Sequence, residues 1–515
     1  MTALSPLRAA LALTIEDTDM PTPRVPSADE LNAQRQAATP PTTPTLPAQW
    51  TAQVLLTPFG DATPAMPTYS QLVVANVQCD TTSGAMLVDL YLTNDLTYYS
   101  FFFVQNAWFW LERTPGGPVT ASFGPFYTSL AMPQTTFFSD FSAQFGNTYP
   151  INGMTADHWV VPTDPTHGSW YAINEASGYP CRIFTFDSDN PCRIPILGSY
   201  YIANIPTMTP SVDSPSFAAA MAATTGAKAE NDPVPGYSNP LVTQEDIQAA
   251  LASPLTSAPC TLAQIQALIP GFTPNPSGVT IPVWTNQTYI TGMTIGTDFI
   301  PYATFVYYDY DIKLQQSIFI GLGTSVGMGS YDQRQDCCLS ATQTDIPQYY
   351  SQNGAWVANC CDGTIPNVGI PRPDWLSADG GVVVAQIAGN ADFGLQPNEV
   401  LNIFNCPLDR GPGELALFWV WFKGDGTGVL FTEGNYMKPT DHSLQLIDYT
   451  TFQQNATWID SSNFSDPCPS LSACSAVPTA AARLKTARRV FGPKSVTVPA
   501  PDYSPTRPAA VPSSR

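Results

Sequence analysis

The chain has 515 residues, enough for two or three domains that each bury a core. Its formal net charge of −21 argues against a nucleic-acid partner, because phosphate binding needs a basic face. Only 12% of residues are charged, 11% are aromatic and 51 are proline, a balance that favours β-rich structure joined by loops over a helical bundle.

Residues 1–46 are poor in aromatics and run into the Pro/Thr-rich stretch Pro40–Pro47, which reads as a disordered, extended leader. The apolar run Leu7–Ile15 is short for a signal peptide, is broken by Arg8 and lacks a small-residue cleavage pattern. No stretch approaches 18 apolar residues, so no transmembrane helix is expected.

From Trp50 the pattern changes. Tyr69–Val77, Leu87–Leu92, Tyr98–Val104, Ala107–Leu111, Arg182–Phe186 and Tyr200–Ala203 are strand-length runs rich in β-formers, punctuated by turn signals such as Thr114–Pro118. They predict a first β-rich domain over 47–210, built on one curved antiparallel sheet. Between 211 and 277 the composition shifts towards helix. Ser214 and Pro215 open an alanine-rich run, Thr243–Leu251 places a capping residue and acids before an apolar face, and Thr261 with Gln264 forms a capping-box pair before Pro270 and Gly271. This is read as a helical connector. Strands resume over 278–475 at Thr304–Tyr308, Ser317–Ile320, Gly381–Ala388, Leu415–Phe422 and Val429–Thr432, giving a second, cysteine-containing β-rich domain. Residues 476–515 are rich in Pro, Ala and Ser and hold seven basic residues against the single acid Asp502. They read as a disordered basic tail, solvated or docked on the acidic body or on an anionic membrane surface.

The two β-rich halves share an order of landmarks. Trp50–Gln53 precedes Tyr69–Val77 as Trp284–Gln287 precedes Tyr302–Asp311. Each half then closes on a Trp-centred strand, a Gly-bearing turn and a final strand: Trp170, Gly178 and Tyr200 in one, Trp419, Gly424 and Leu444 in the other. A period of this length suits two tandem domains and is too long for a solenoid. The fold class expected is therefore mainly β, α+β overall, with two tandem curved antiparallel sheets, a helical connector and disordered termini.

Eleven cysteines and the acceptor sequences at Asn286, Asn455 and Asn463 lean towards an oxidising compartment, so a secreted or cell-surface location is expected. The adjacent pairs Cys337–Cys338 and Cys360–Cys361 suit cross-bridged disulfides better than a zinc site, whose ligands need a loop to wrap the ion. Cys181 and Cys192 flank a turn and either staple a hairpin or leave one of them to reach Cys79; Cys406, Cys468 and Cys474 complete the disulfide candidates. Asp309 and Asp311 would share a face of one strand and form a candidate Ca²⁺ pair if other oxygens converge there; a solvated edge or an inward hydrogen-bonded pair is the plainer reading. No other cofactor is expected.

Catalytic groups are sparse. The only histidines are His158, His167 and His442, and the first two are expected on loops between strands. No nucleophile elbow is present, and Gly424–Gly428 reads as a hairpin turn because it precedes a strand and lacks the lysine of a phosphate loop. The aromatic load carries more. Phe101, Phe103, Trp108 and Trp110 cluster in one stretch and Trp419 and Trp421 in another, with Trp170 and Tyr308 close by in the pattern. Successive strand positions cannot all face one core, so one face covers the core and the other either lines a cavity or interface or is buried between layers.

Val306–Asp311, the Trp356 and cysteine region, Ile370–Trp375 and Trp421 before the last hairpin resemble the pattern of ependymin-related proteins. So do Trp159, Trp170, Gly178–Ile183 and Tyr200–Tyr201 in the first half. That family shares its curved sheet with lipid carriers of the LolA and LppX type. Tandem duplication, the doubled cysteines and the missing signal peptide depart from the single-domain pattern. The resemblance covers roughly 48–210 and 278–455. It implies a non-enzymatic carrier that holds an apolar small molecule or lipid in a deep pocket, with the eight aromatics named above as ligand-binding candidates and calcium as a bound ion. The alternative is a structural protein whose aromatic faces join subunits in an oligomer. A hydrolase using His158 or His167 is the remote third reading.

Overall fold

The computed structural model of the chain describes residues 41–473, apart from 60–71, 105–106, 114–117, 124–133, 152–153, 163–167, 186–199, 213–214, 227–256, 296–300, 322–324, 333–341, 352–360, 367–371, 379, 410–414, 425–428, 438–442, 461–463 and 465–471. The expected leader up to residue 40, the tail from residue 474 and the helix expected at Thr243–Leu251 lie outside the described residues.

The protein is mainly β. Its first sheet is built from β1 (Gln49–Phe59), β2 (Val73–Asp80), β3 (Ala85–Leu92), β4 (Thr97–Val104), β5 (Ala107–Arg113), β6 (Val119–Phe123), β7 (Gln144–Ile151), β8 (Met154–Pro162), β9 (Gly168–Asn174), β10 (Pro180–Thr185) and β11 (Tyr200–Thr209). A short helix, α1 (Phe137–Asp140), stands between β6 and β7. β1 lies in the middle of the sheet. β2 to β6 run outward from it on one side, and β11 back to β7 run outward on the other. Neighbouring strands are antiparallel, with Trp50 opposite Cys79 and Ala52 opposite Met208.

After β11 the chain forms α2 (Pro215–Gly226), β12 (Ala258–Pro259), α3 (Leu262–Leu268) and β13 (Phe272–Pro274). The second sheet follows with β14 (Gln287–Ile295), β15 (Pro301–Asp309), β16 (Leu314–Gly321), β17 (Ser325–Asp332), β18 (Thr342–Ser351), β19 (Cys361–Pro366), β20 (Val382–Ala388), β21 (Val400–Asp409), β22 (Leu415–Lys423), β23 (Val429–Met437) and β24 (Ser443–Gln454). β14 takes the middle, β15 to β19 extend to one side, and β24 back to β20 extend to the other. A helix of one turn, α4 (Trp375–Ala378), again separates the sixth and seventh strands. A two-residue strand, β25 (Ser472–Ala473), pairs in parallel with β19.

Most of the duplicated landmarks fall on matching strands: Trp170 and Trp419 lie in β9 and β22, and Tyr200 and Leu444 lie at the starts of β11 and β24, whereas Trp50 is inside β1 and Trp284 precedes β14. In each unit the lead-in segment donates a backbone N–H to the residue two places before the short helix: Leu46 to the Thr135 carbonyl at 3.1 Å, and Trp284 to the Pro373 carbonyl at 2.8 Å.

Both faces of the first sheet are apolar because both are covered. On the front face Ala52, Leu56, Val88, Phe101, Phe103 and Trp108 pack together. On the back face Leu55, Val74, Ala172 and Ile202 share one core with Met293, Ile387, Ile403 and Trp421 of the second sheet, so the sheets pack back to back. Further along the same back face, α2 covers Phe102 and Phe109 through Phe217, whose ring meets that of Phe102 edge-on at 5.4 Å.

The connector is partly strand. β12 pairs with β4 of the first sheet and β13 pairs with β20 of the second. Between them Ile265 of α3 and Ile269 just after it enter the shared core. Its N-terminus has the expected capping box: Gln264 N–H donates to Thr261 Oγ1 at 3.3 Å, and Thr261 N–H donates to Gln264 Oε1 at 2.8 Å.

The disulfides expected at Cys181 and Cys406 are not formed, since both are buried thiols. Cys181 occupies a bulge in β10 and donates to the Ala172 carbonyl at 3.4 Å, and burial pushes its thiol up to about 12. Cys406 packs among Leu376, Phe404 and Phe422 on the front face of the second sheet. Cys361 begins β19, while Cys192, Cys337, Cys338, Cys360, Cys468 and Cys474 lie outside the described residues.

Candidate apolar binding site

The front face of the first sheet holds a cavity of about 80 Å³, partly open to solvent. Its floor comes from the central strands: Trp50, Ala52 and Val54 of β1, Val77 of β2, Met86 of β3, and Ala203, Ile205 and Met208 of β11. Tyr171, Pro180 and Ile183 of β9 and β10 wall one side. Phe137 and Phe138 of α1 and Leu46 of the lead-in cover it. Small residues explain the hollow, because Ala52 and Ala203 stand at central positions where their neighbours are bulky. The cover is held by ring contacts: Tyr171 meets Phe137 at 5.6 Å and Phe138 at 5.3 Å, both edge-on.

Among the described residues the lining contains no carboxylate, amine, guanidinium, imidazole or thiol. Its polar groups are the Tyr171 hydroxyl and the Trp50 indole. Trp50 Nε1 is enclosed and has no hydrogen-bond acceptor among the described residues.

Six of the eight aromatic candidates have described side chains, and all six are buried. Phe101 and Phe103 lie on the cavity's face of the sheet one strand further out than Met86, and Trp108 lies on that face one strand beyond them. Phe103 is the cross-strand partner of the cavity residue Met86, and it also pairs with Trp108, whose ring is 5.1 Å away. Trp110 pairs with Phe101. Tyr308 is on β15, stacked on Tyr310 and met edge-on by Trp284. Trp421 is in the core between the sheets, against Phe393. Trp170 and Trp419 have described backbones in β9 and β22, and their side chains lie outside the described residues.

The expected geometry of the acidic pair is corrected. β15 ends at Asp309, so Asp311 sits in the following turn and the two carboxylates do not share a strand face. Asp309 accepts from Gln287 Nε2 at 2.9 Å and from the backbone N–H groups of Asp311 and Ile312 at 3.0 and 3.2 Å. Asp311 accepts from Asn286 Nδ2 at 2.6 Å. Among the described residues no three His, Cys, Asp or Glu side chains are grouped to hold a metal ion.

His158 is not on a loop. It lies in β8, fully buried, in a row that runs across the back face from His158 through Ala172 to Arg182 and Asn204. Arg182 Nε donates to Asn204 Oδ1 at 2.8 Å, and its Nη1 pairs with Asp448 of the second sheet. Burial, with Arg182 adding to it, holds the imidazole well below its usual pKa and keeps it neutral. This polar row sits inside the core between the sheets, away from the cavity.

Sequence reasoning missed Trp50, Met86, Phe137, Phe138, Tyr171 and Met208 as lining residues. A usable signal was present in the duplication, since Phe137–Phe138 and Trp375–Leu376 both supply paired apolar residues to the helix before the seventh strand.

No protein-family model matches the chain, and no curated protein matches it. Among solved structures, an uncharacterized conserved protein from Thermus thermophilus is similar at 9% identity over 34% of this chain and 85% of that one, with a TM-score of 0.22. The Pseudomonas aeruginosa MucA/MucB complex is similar at 11% identity over 55% of this chain and 82% of that one, with a TM-score of 0.20. A crystal structure of MucB is similar at 12% identity over 53% and 74%, also with a TM-score of 0.20. Likeness at these TM-scores carries no argument about function. Among the described residues no helix is long and apolar enough to cross a membrane.

Proposed function

We propose that the chain is a non-enzymatic binding protein that holds an apolar, lipid-like small molecule in the cavity of its first sheet. The observation that carries this is the lining, whose described side chains include no acid, base or nucleophile beyond a tyrosine hydroxyl. The volume bounds the guest. At about 80 Å³ it is smaller than the cavity of about 150 Å³ that takes up benzene in an engineered core, so it suits part of an alkyl chain.

The rival assembly reading needs aromatic faces free to meet another subunit. Here Phe101, Phe103, Trp108, Trp110, Tyr308 and Trp421 are all spent on packing inside one chain. Calcium at Asp309 and membrane contact through the basic tail remain additions to the proposal, each testable by titration with Ca²⁺ or anionic vesicles.

The test is native mass spectrometry of the full chain after incubation with decan-2-one. A one-to-one complex that is lost in Ala203→Leu supports the reading. An empty chain, or a complex indifferent to that substitution, overturns it.

A further inference from the structure

The unsatisfied indole at the cavity wall narrows the class of guest, and a second such indole elsewhere in the protein gives a contrast. Trp50 and Trp284 both open a Trp-Thr-x-Gln segment, but Trp50 lies inside β1 and Trp284 lies before β14 begins. Neither Nε1 has a hydrogen-bond acceptor among the described residues. Their surroundings differ. Trp284 is boxed in by Tyr308, Trp375 and Phe452, with ring centroids 5.5, 6.0 and 5.6 Å away and interplanar angles of 87°, 83° and 68°. Trp50 instead borders the cavity.

A buried indole N–H normally finds a partner, because it loses its water on burial and gains nothing in exchange. The Met86 and Met208 sulfurs line the same cavity, and neither accepts from Trp50. Among the described residues no lining group, the Tyr171 hydroxyl included, accepts from Trp50, so the guest is the remaining source of an acceptor. We infer that Trp50 is the specificity-determining residue of this site: it donates its indole N–H to a neutral acceptor oxygen on the guest, so the cavity selects an apolar chain that carries a carbonyl, ester or ether oxygen over the bare hydrocarbon. A carboxylate is a poorer match, since the lining offers no cation to offset the cost of burying it. This rests on the reading of the cavity as a guest site.

The experiment compares undecan-2-one with undecane, two chains of equal length that differ in one acceptor oxygen. Affinities of the full chain are measured by displacement of N-phenyl-1-naphthylamine, and indole N–H signals are followed in ¹H–¹⁵N spectra. The ketone is expected to bind about tenfold more tightly, the worth of one neutral hydrogen bond. One indole signal moves downfield with the ketone and not with undecane, and it is the signal missing from Trp50→Phe. In that variant the ketone-to-undecane ratio falls to about one. Equal binding of the two ligands by the parent chain overturns the inference while leaving the cavity as an apolar guest site. A preference that survives Trp50→Phe overturns it too. Binding of neither ligand removes the guest site itself, and the inference with it. The spectral readout on the parent chain decides the matter even if the variant does not fold.

Discussion

Arg182 of the first sheet and Asp448 of the second, 266 residues apart in sequence, form an ion pair that joins the two sheets inside their shared core. Both side chains are almost wholly removed from water, and Asn204 takes a further donor of the guanidinium. A buried pair of this kind adds little net stability over an apolar pair, because desolvation offsets the attraction. Removing one partner is a different matter, since the other charge is then stranded.

Asp448→Ala is therefore expected to cost about 3–5 kcal/mol. The double variant Arg182→Met, Asp448→Leu should be less destabilised than Asp448→Ala alone. Urea denaturation followed by tryptophan fluorescence gives both numbers. A loss under about 1 kcal/mol in the single variant would mean that water reaches Arg182.

Acidification should act through His158. Its folded pKa is lowered, by burial first and by Arg182 second, against a usual value of about 6.5. Above that value the imidazole is neutral in both states, and stability is fully present. Below it the unfolded chain gains a proton that the folded site refuses. Stability then falls by about 1.4 kcal/mol per pH unit, until the folded pKa is reached. Asp89 and Asp157 have carboxyls raised by burial and act in the opposite sense, losing stability as pH rises above the usual aspartate range. Comparison with His158→Phe cancels them. Urea midpoints at pH 7.5, 6.0 and 5.0 should fall more steeply for the parent than for the variant, and parallel lines would show that the folded histidine takes up the proton.

The connector allows a contrast between a cap and a close approach. Thr261→Ala removes one side-chain acceptor from the first turn of α3 and should cost about 1 kcal/mol. Gly271 has φ +81°, and a Cβ there would lie 2.1 Å from the Ala388 carbonyl oxygen. Gly271→Ala strains the backbone and pushes β13 off β20, so about 3 kcal/mol or more is expected. Thermal melts of the two variants should separate clearly, with Gly271→Ala much the lower.

Much of this architecture was legible in the sequence, and for identifiable reasons. Strands such as Tyr98–Val104 are apolar on both faces because one face meets the front core and the other lies under α2, so composition alone marked them. The later landmarks kept their order in both units because they mark equivalent elements of a repeated sheet: Trp170 and Trp419 in β9 and β22, Gly178 and Gly424 in the turns that follow, and Tyr200 and Leu444 in β11 and β24. The capping box at Thr261 is a local signal and was read as such. The site was less legible. Phe103 and Trp108 sit on the correct face, but the cavity is centred where Ala52 and Ala203 leave room, and small residues raise no signal in a search for aromatic clusters. His158 was misplaced because its row of polar neighbours, Arg182, Asn204 and Asp448, comes from strands far apart in the chain and from both sheets. Asp309 and Asp311 looked like a pair only while the strand was taken to continue past Asp309.

The cavity offers a test in which stability and binding move in opposite directions. Ala203 is buried on β11, opposite Leu56 of the central strand, and its small side chain is one reason the space exists. Ala203→Leu adds three carbons at that point. A residual void costs the surrounding side chains their contacts, so filling it should leave stability unchanged or raise it by up to about 1 kcal/mol. The same substitution should abolish uptake of decan-2-one, because the guest and the new side chain compete for one space. Phe138→Ala works in reverse: it widens the cavity under α1 at a cost of about 3–5 kcal/mol and should shift preference towards bulkier guests such as a branched ketone. Thermal denaturation and native mass spectrometry on the same samples check both halves. A stabilised Ala203→Leu variant that still takes up the ketone would place the guest elsewhere on the protein.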